Sequence, residues 1–171
     1  MGKVGQCFME LAYLTSQRLT DIRLLRRSQI GPDAITFQPS KTRNSTAQVV
    51  GVPITPAIRS VLERIDELNR EQKFPTVSAY LITSRNRRPY SASGIRSMWK
   101  RACRRAGVAD ITLKDLRPSS ATAIHAGGAS VEAVQKRLGH SNIETTEIYL
   151  RTKGVAESPV VASLPPKPQK G

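Results

Sequence analysis

Arg137-Leu138-Gly139-His140-Ser141-Asn142-Ile143-Glu144-Thr145-Thr146-Glu147-Ile148-Tyr149 is the stretch that decides how this chain is read. Upstream of it, Ser130 is a capping residue and Val131, Val134 and Leu138 follow at helical spacing. A glycine just past the last periodic position supplies the left-handed turn that ends such a helix, so Gly139 is its terminator. Ser141 with Glu144 three residues on reads as a capping box opening a second helix, the one that carries Tyr149. That tyrosine stands late in the chain, among polar residues and outside the main apolar stripes.

The rest of the chain sets the context. Its 171 residues, 39% of them hydrophobic, suffice for one core. Lys and Arg number 27 against 13 Asp and Glu, a formal charge of +14 that repels itself unless a polyanion balances it. Nucleic acid is the expected partner. No apolar run approaches the roughly 18 residues that span a membrane and no secretory leader opens the chain, so the expectation is a cytoplasmic protein with no membrane partner. Cys7 and Cys103 lack both disulfide-framework and metal-ligand spacing and read as reduced fillers.

Cys7, Phe8, Leu11, Ala12 and Leu14, then Leu19, Ile22, Leu24 and Leu25, trace a helix, a short break at Thr15-Ser16-Gln17-Arg18, and a second helix. Residues 34 to 38 and 47 to 54 read as strands around the basic stretch Pro39 to Ser45, a hairpin with a charged tip, and Ala79 to Ile82 as a further short strand. Thr55 followed by Pro56 starts a helix whose inner face is Ile58, Val61, Leu62, Ile65 and Leu68. From Ser93 to Ala106 an apolar stripe (Ile95, Met98, Trp99, Ala102, Cys103, Ala106) is backed by Arg96, Lys100, Arg101, Arg104 and Arg105, with Gly107 as terminator. In so basic a chain that outer face is read as contacting phosphates, although a merely solvated face has the same pattern.

Asp21, Asp33, Glu63, Asp66, Asp110 and Asp115 are scattered among different elements, so no magnesium site is expected. Phosphoryl transfer without metal needs a side-chain nucleophile, cations for the transition-state charge and an acid for the departing oxygen. Four separated patterns supply those residue types. Leu14-Thr15-Ser16-Gln17-Arg18-Leu19-Thr20-Asp21 places an arginine at a helix start with an acid three residues on, which taken alone is an ordinary surface ion pair. Lys41 lies in the hairpin, with Arg43 as its local competitor. Lys114-Asp115-Leu116-Arg117 puts two cations at i,i+3, costly unless an anion lies between them. The opening stretch adds His140 and Tyr149.

These four patterns, in this order from residue 14 to residue 149, resemble the catalytic domain of tyrosine recombinases, the phage integrase family. The resemblance implies an α+β, mainly α-helical catalytic domain with a small antiparallel β-hairpin or three-stranded sheet. It implies that Arg18, Lys41, Lys114, Arg117 and His140 are catalytic, that Tyr149 is the nucleophile and that Asp21 supports Arg18. Lys41 would be the general acid, and Lys114 takes the position more often held by histidine. His140 would hydrogen-bond a non-bridging phosphate oxygen. The basic residues Arg43, Arg96, Lys100, Arg101, Arg104 and Arg105 are read as DNA-binding. After Arg117 the family continues with His or Arg and then Thr, whereas this chain has Pro118-Ser119-Ser120, and a helix restarting at Pro118 is expected. His125 matches no catalytic position and is left as a helix-packing residue.

The implied reaction is site-specific DNA strand cleavage and rejoining through a 3′-phosphotyrosyl link, with no cofactor and no metal. Residues 1–154 would be the catalytic domain, without the N-terminal core-binding domain of full-length members, and residues 155–171 a flexible or partner-docking tail. Double-stranded DNA is the partner, bound by a homotetramer on paired sites when full length and by a monomer as an isolated domain, in a bacterial or phage-encoded, nucleoid-associated setting. A type IB topoisomerase and a noncatalytic DNA-binding protein are the alternatives that the residues leave open.

Overall fold

The structure, a computed structural model, describes residues 2–38, 49–71 and 78–151. The hairpin tip with Lys41 and Arg43, and the tail from residue 152, lie outside the described residues, as does the side chain of Tyr149.

The first helix, α1 (Lys3–Thr15), is buried almost all round, with Cys7, Phe8, Met9, Leu11, Ala12 and Leu14 inside. A helix without a polar face must lie at the centre of its domain, and α1 packs against α2 (Leu19–Arg23), α3 (Pro56–Glu71), α4 (Ala92–Ala106) and α5 (Leu116–Ala126). The antiparallel pair β1 (Ala34–Phe37) and β2 (Val50–Pro53), in register Ile35 with Val52 and Phe37 with Val50, turns those four apolar side chains inward. Thr36 and Gly51 face out, as the two-residue period of a strand requires. In α3, Ile58, Val61 and Ile65 form the inner face, and Ile58 N–H donates to the capping Thr55 Oγ1 at 3.3 Å.

The expected third strand does not form: among the described residues the sheet has two strands. Tyr80 instead makes an isolated bridge to Arg26, because Arg27 N–H donates to Ala79 O (2.9 Å) and Leu81 N–H to Leu25 O (2.8 Å). The segment is thereby tied to the residues after α2, and Leu81 and Ile82 are buried there.

Two hydrophobic clusters result. The large one joins α1 to α4, the β pair and Leu113. The small one, Ala121, Val134 and Leu138 with Ile124 and Ala129 against them, joins α5 to α6 (Val131–Leu138). The predicted Ser130 cap is in place on α6, its Oγ accepting from Ala133 N–H, and the predicted terminators Gly107 (φ 65°) and Gly139 (φ 62°) close α4 and α6 in the left-handed region; α4 is capped by Ser91, whose Oγ accepts from Gly94 N–H.

Three local expectations are corrected. The last helix, α7 (Ile143–Arg151), is capped by Asn142, whose Oδ1 accepts from Glu144 N–H at 2.9 Å, and Ser141 is exposed, so the helix begins one residue later than a Ser141 box would give. Helix α5 begins at Leu116 rather than Pro118. Proline is tolerated at its third position because first-turn amides have no intrahelical acceptor anyway. His125 does not pack inside: it is exposed, and its Nδ1 donates to Ala129 O at 2.8 Å, closing the turn after α5.

Candidate active site

Arg18 is the last residue before α2, and its carbonyl accepts from Asp21 and Ile22 N–H. The preceding turn is sharp because Ser16 closes α1 with φ 59°, a left-handed conformation uncommon for a residue with a side chain. Arg18 Nη1 is buried and has no hydrogen-bond partner among the described residues. Asp21 is buried one turn along. Among the described residues, ion pairs join Arg27 to Asp66 and Arg64 to Glu10.

Arg117, 99 residues further on, is buried in the first turn of α5. A residue before proline is disfavoured in a helix, yet tertiary bonds hold it there. Nη1 donates to Ser16 O (2.9 Å) and Nη2 to Leu138 O (2.6 Å) and to His140 Nε2 (3.3 Å). A guanidinium can only donate, so Nε2 is the acceptor and the ring proton sits on Nδ1, which donates to Thr146 Oγ1 at 3.0 Å. Gln135 Nε2 fixes the backbone of the same residue by donating to His140 O at 3.0 Å. His140 is thus a buried, neutral imidazole with a defined tautomer.

Its electrostatics tie the three residues together. Burial, then the charge of Arg117, then that of Arg18 push His140 down to about 4. Two cations from distant parts of the chain therefore act on one imidazole. A base whose pKa is lower in the folded than in the unfolded chain leaves the unfolded state to bind the proton first. Stability from this group is whole above about pH 6.5 and is lost as pH falls toward about 4, a change on the order of 3 kcal/mol. The urea midpoint is expected to fall between pH 7 and pH 4.5, and the fall to be shallower in His140→Asn. An equally steep fall in that variant would assign the acid sensitivity to other groups.

Arg18, Arg117 and His140 are therefore brought together. Lys114 is exposed on the 3₁₀ turn Leu113–Asp115. There it lines a cleft of about 490 Å³ with Arg23, Arg96 and Lys100 above an apolar floor that includes Ile95 and Trp99. Arg96, Lys100, Arg101, Arg104 and Arg105 are all exposed on α4. Tyr149 lies on α7, the helix that also carries Thr146. Among the described residues no group of three His, Cys, Asp or Glu side chains could hold a metal ion, and no helix is long and apolar enough to cross a membrane.

Sequence reasoning missed the supports of this site. Thr146, fully buried, had a signal in the threonine pair before Tyr149, but nothing local identifies it as the partner of His140. Gln17, Ser120 and Arg137 gave no signal, because their bonds span more than 100 residues.

A helical domain that gathers two arginines and a neutral histidine around α1, with a tyrosine on α7, has known structural counterparts. Its fold is that of a lambda integrase solved as a dimer bound to a core site (TM-score 0.71, 21% identity, covering 94% of this chain and 60% of that one). It is equally that of the XerA recombinase (TM-score 0.68, 20% identity, 88% and 57%). The chain belongs to the phage integrase family, whose sequence model matches residues 2–154. Among relatives, the tyrosine recombinase XerA of Thermococcus kodakarensis is 31% identical over 147 residues, covering 82% of this chain and 48% of the relative. XerC of Corynebacterium glutamicum is 30% identical over 142 residues, covering 82% and 44%. The chain spans about half the length of the curated relatives it matches.

Proposed function

We propose that this chain is the catalytic domain of a site-specific DNA recombinase, which cuts and rejoins DNA strands without metal through a 3′-phosphotyrosyl intermediate. The observation that carries this reading is the joint action of Arg18 and Arg117 on neutral His140, with Arg18 Nη1 buried and without an acceptor among the described residues. A buried guanidinium nitrogen lacking an acceptor is costly, and a phosphate oxygen satisfies it bidentately with its neighbour. The net charge of +14 supplies the long-range attraction for DNA.

Tyr149 Oη gives up its proton to solvent and attacks the scissile phosphorus, the P–O5′ bond breaks, and the 5′ oxygen takes a proton from Lys41. Rejoining reverses each step: a 5′ hydroxyl attacks the phosphotyrosine and the phenol leaves. One phosphodiester is exchanged for another, so no nucleotide is consumed. Arg18 and Arg117 offset the charge that grows on the phosphoryl oxygens. To donate to that phosphate, His140 must carry a proton on Nε2, and the anion's own charge favours it by opposing the two arginines. Lys114 acts with the catalytic cations, at the position more often held by histidine, and the exposed cations of α4 hold the flanking backbone, where their reach and charge suit phosphates.

Residues 1–154 form this domain and the tail serves docking. The complete protein acts in the cytoplasm, as a tetramer on paired sites, with the isolated domain a monomer. The test is incubation with a nicked suicide duplex. A gel-stable adduct that resists boiling in detergent and yields phosphotyrosine on hydrolysis is expected. No adduct at high protein excess leaves only DNA binding, and relaxation of plasmids lacking any preferred site would make the protein a topoisomerase.

A further inference from the structure

The site is divided between two parts of the molecule that share little apolar packing. Arg18 follows α1, which belongs to the large cluster, whereas His140 and Tyr149 follow α6, which belongs to the small one. The seam between α1 and the α5–α6 pair is polar, and it consists of the end of α1. The last four carbonyls of a helix have no intrahelical partner, and α1 has no basic residue of its own in its last turn. Each of its terminal carbonyls is met from across the seam. Ser16 Oγ donates to Ser120 Oγ (2.7 Å), which donates to Tyr13 O. Arg137 Nη2 donates to Leu14 O (2.7 Å) and its Nε to Thr15 O (3.3 Å), and Arg117 Nη1 donates to Ser16 O. Gln17 Nε2 returns the contact by donating to Arg137 O at 2.7 Å.

Arg117 has a chemical role in the mechanism above, but Arg137 has none. It is a half-buried cation, its pKa lowered by desolvation, with no acidic partner among the described residues. Burying a charge in this way is unfavourable unless it is well hydrogen-bonded. Its partners are the negative end of the α1 dipole, where a cation is favoured. The planar fork of a guanidinium fits two successive carbonyls as an ammonium cannot.

We propose that Arg137 is a positioning residue, clamping the end of α1 so that Arg18 is held against Arg117 and His140. Arg137 stands three residues before His140, and the carbonyls it grips stand three and four residues before Arg18. This side chain therefore ties the two halves of the site together close to both Arg18 and His140 in sequence. This rests on the functional reading above, and its test has a readout that does not need activity.

The full chain is compared with Arg137→Met, Arg137→Lys and Gln17→Leu. Adduct formation on the nicked duplex is measured in single turnover at saturating DNA, DNA affinity separately, and the His140 imidazole is titrated by NMR with His125, the other histidine, as internal reference. In Arg137→Met the adduct rate is expected to fall about 10- to 100-fold, the loss typical of a misplacement of about 1 Å, with DNA affinity changed less than about 3-fold. The His140 pKa is expected to rise above about 4 as Arg18 moves away, by less than the full shift because burial and the Arg117 charge remain, and Arg137→Lys to recover part of both effects. An adduct rate within about 2-fold of the parent, with an unmoved His140 titration, overturns the proposal. If Arg137→Met does not fold, Arg137→Lys and Gln17→Leu, each of which removes only part of the clamp, decide by the same two measurements. If the parent forms no adduct while the His140 titration still moves, the recombinase reading fails and the positioning role stands.

Discussion

Tyr149→Phe is expected to abolish the covalent adduct, with a loss of at least about 10³-fold in single-turnover cleavage, if Tyr149 is the group that forms the bond. The substitution deletes one oxygen and keeps the ring, so α7 and the His140–Thr146 bond that it supports remain. DNA affinity is expected to stay within about 3-fold, because the cations on α4 and at Lys114 are untouched. Loss of chemistry with retained binding is the signature of a nucleophile. An adduct that survives in Tyr149→Phe at more than about a tenth of the parent rate sinks the assignment of Tyr149.

Arg117→Met has the next largest effect, and it acts twice. Cleavage is expected to fall by about 10²- to 10³-fold, the usual loss when a preorganised donor to the transition-state charge is removed. The fold is expected to lose roughly 2–4 kcal/mol, because Ser16 O and Leu138 O are left buried without their donors. Arg18→Gln provides the contrast within the same experiment. Arg18 Nη1 has no protein acceptor among the described residues, so its removal is expected to cost rate with little change in the urea midpoint. The paired readings, rate at saturating DNA and denaturation midpoint, check both. Equal stability losses in the two variants would show that Arg117 is not the structural link described here.

Much of the fold was legible because it is written locally. The apolar spacing of α1, α3 and α4, the Thr55-Pro56 start and the terminators Gly107 and Gly139 depend on residues within one or two turns. The errors arose where tertiary contacts overrode local preference. Ala79 to Ile82 has strand composition, but backbone bonds to residues 25 and 27 hold it away from the β pair. Pro118 resembles a helix start, but the bonds of Arg117 place the helix two residues earlier. Asn142 displaced Ser141 as the cap of α7 because either residue can serve, and the chain direction after Gly139 decides between them.

The candidate site divides in the same way. By itself the sequence determined which residue types stand in order from Arg18 to Tyr149, and the resemblance to one family that follows from their spacing. Only the tertiary structure decided that Arg18 and Arg117 both lie close enough to act on buried His140, that His140 is neutral with its proton on Nδ1, and that Arg137 meets the end of α1. The physical reason is range. Helix periodicity and capping act over a few residues, whereas desolvation and the coulombic effect of a charge depend on distance in space, which the folded chain alone sets.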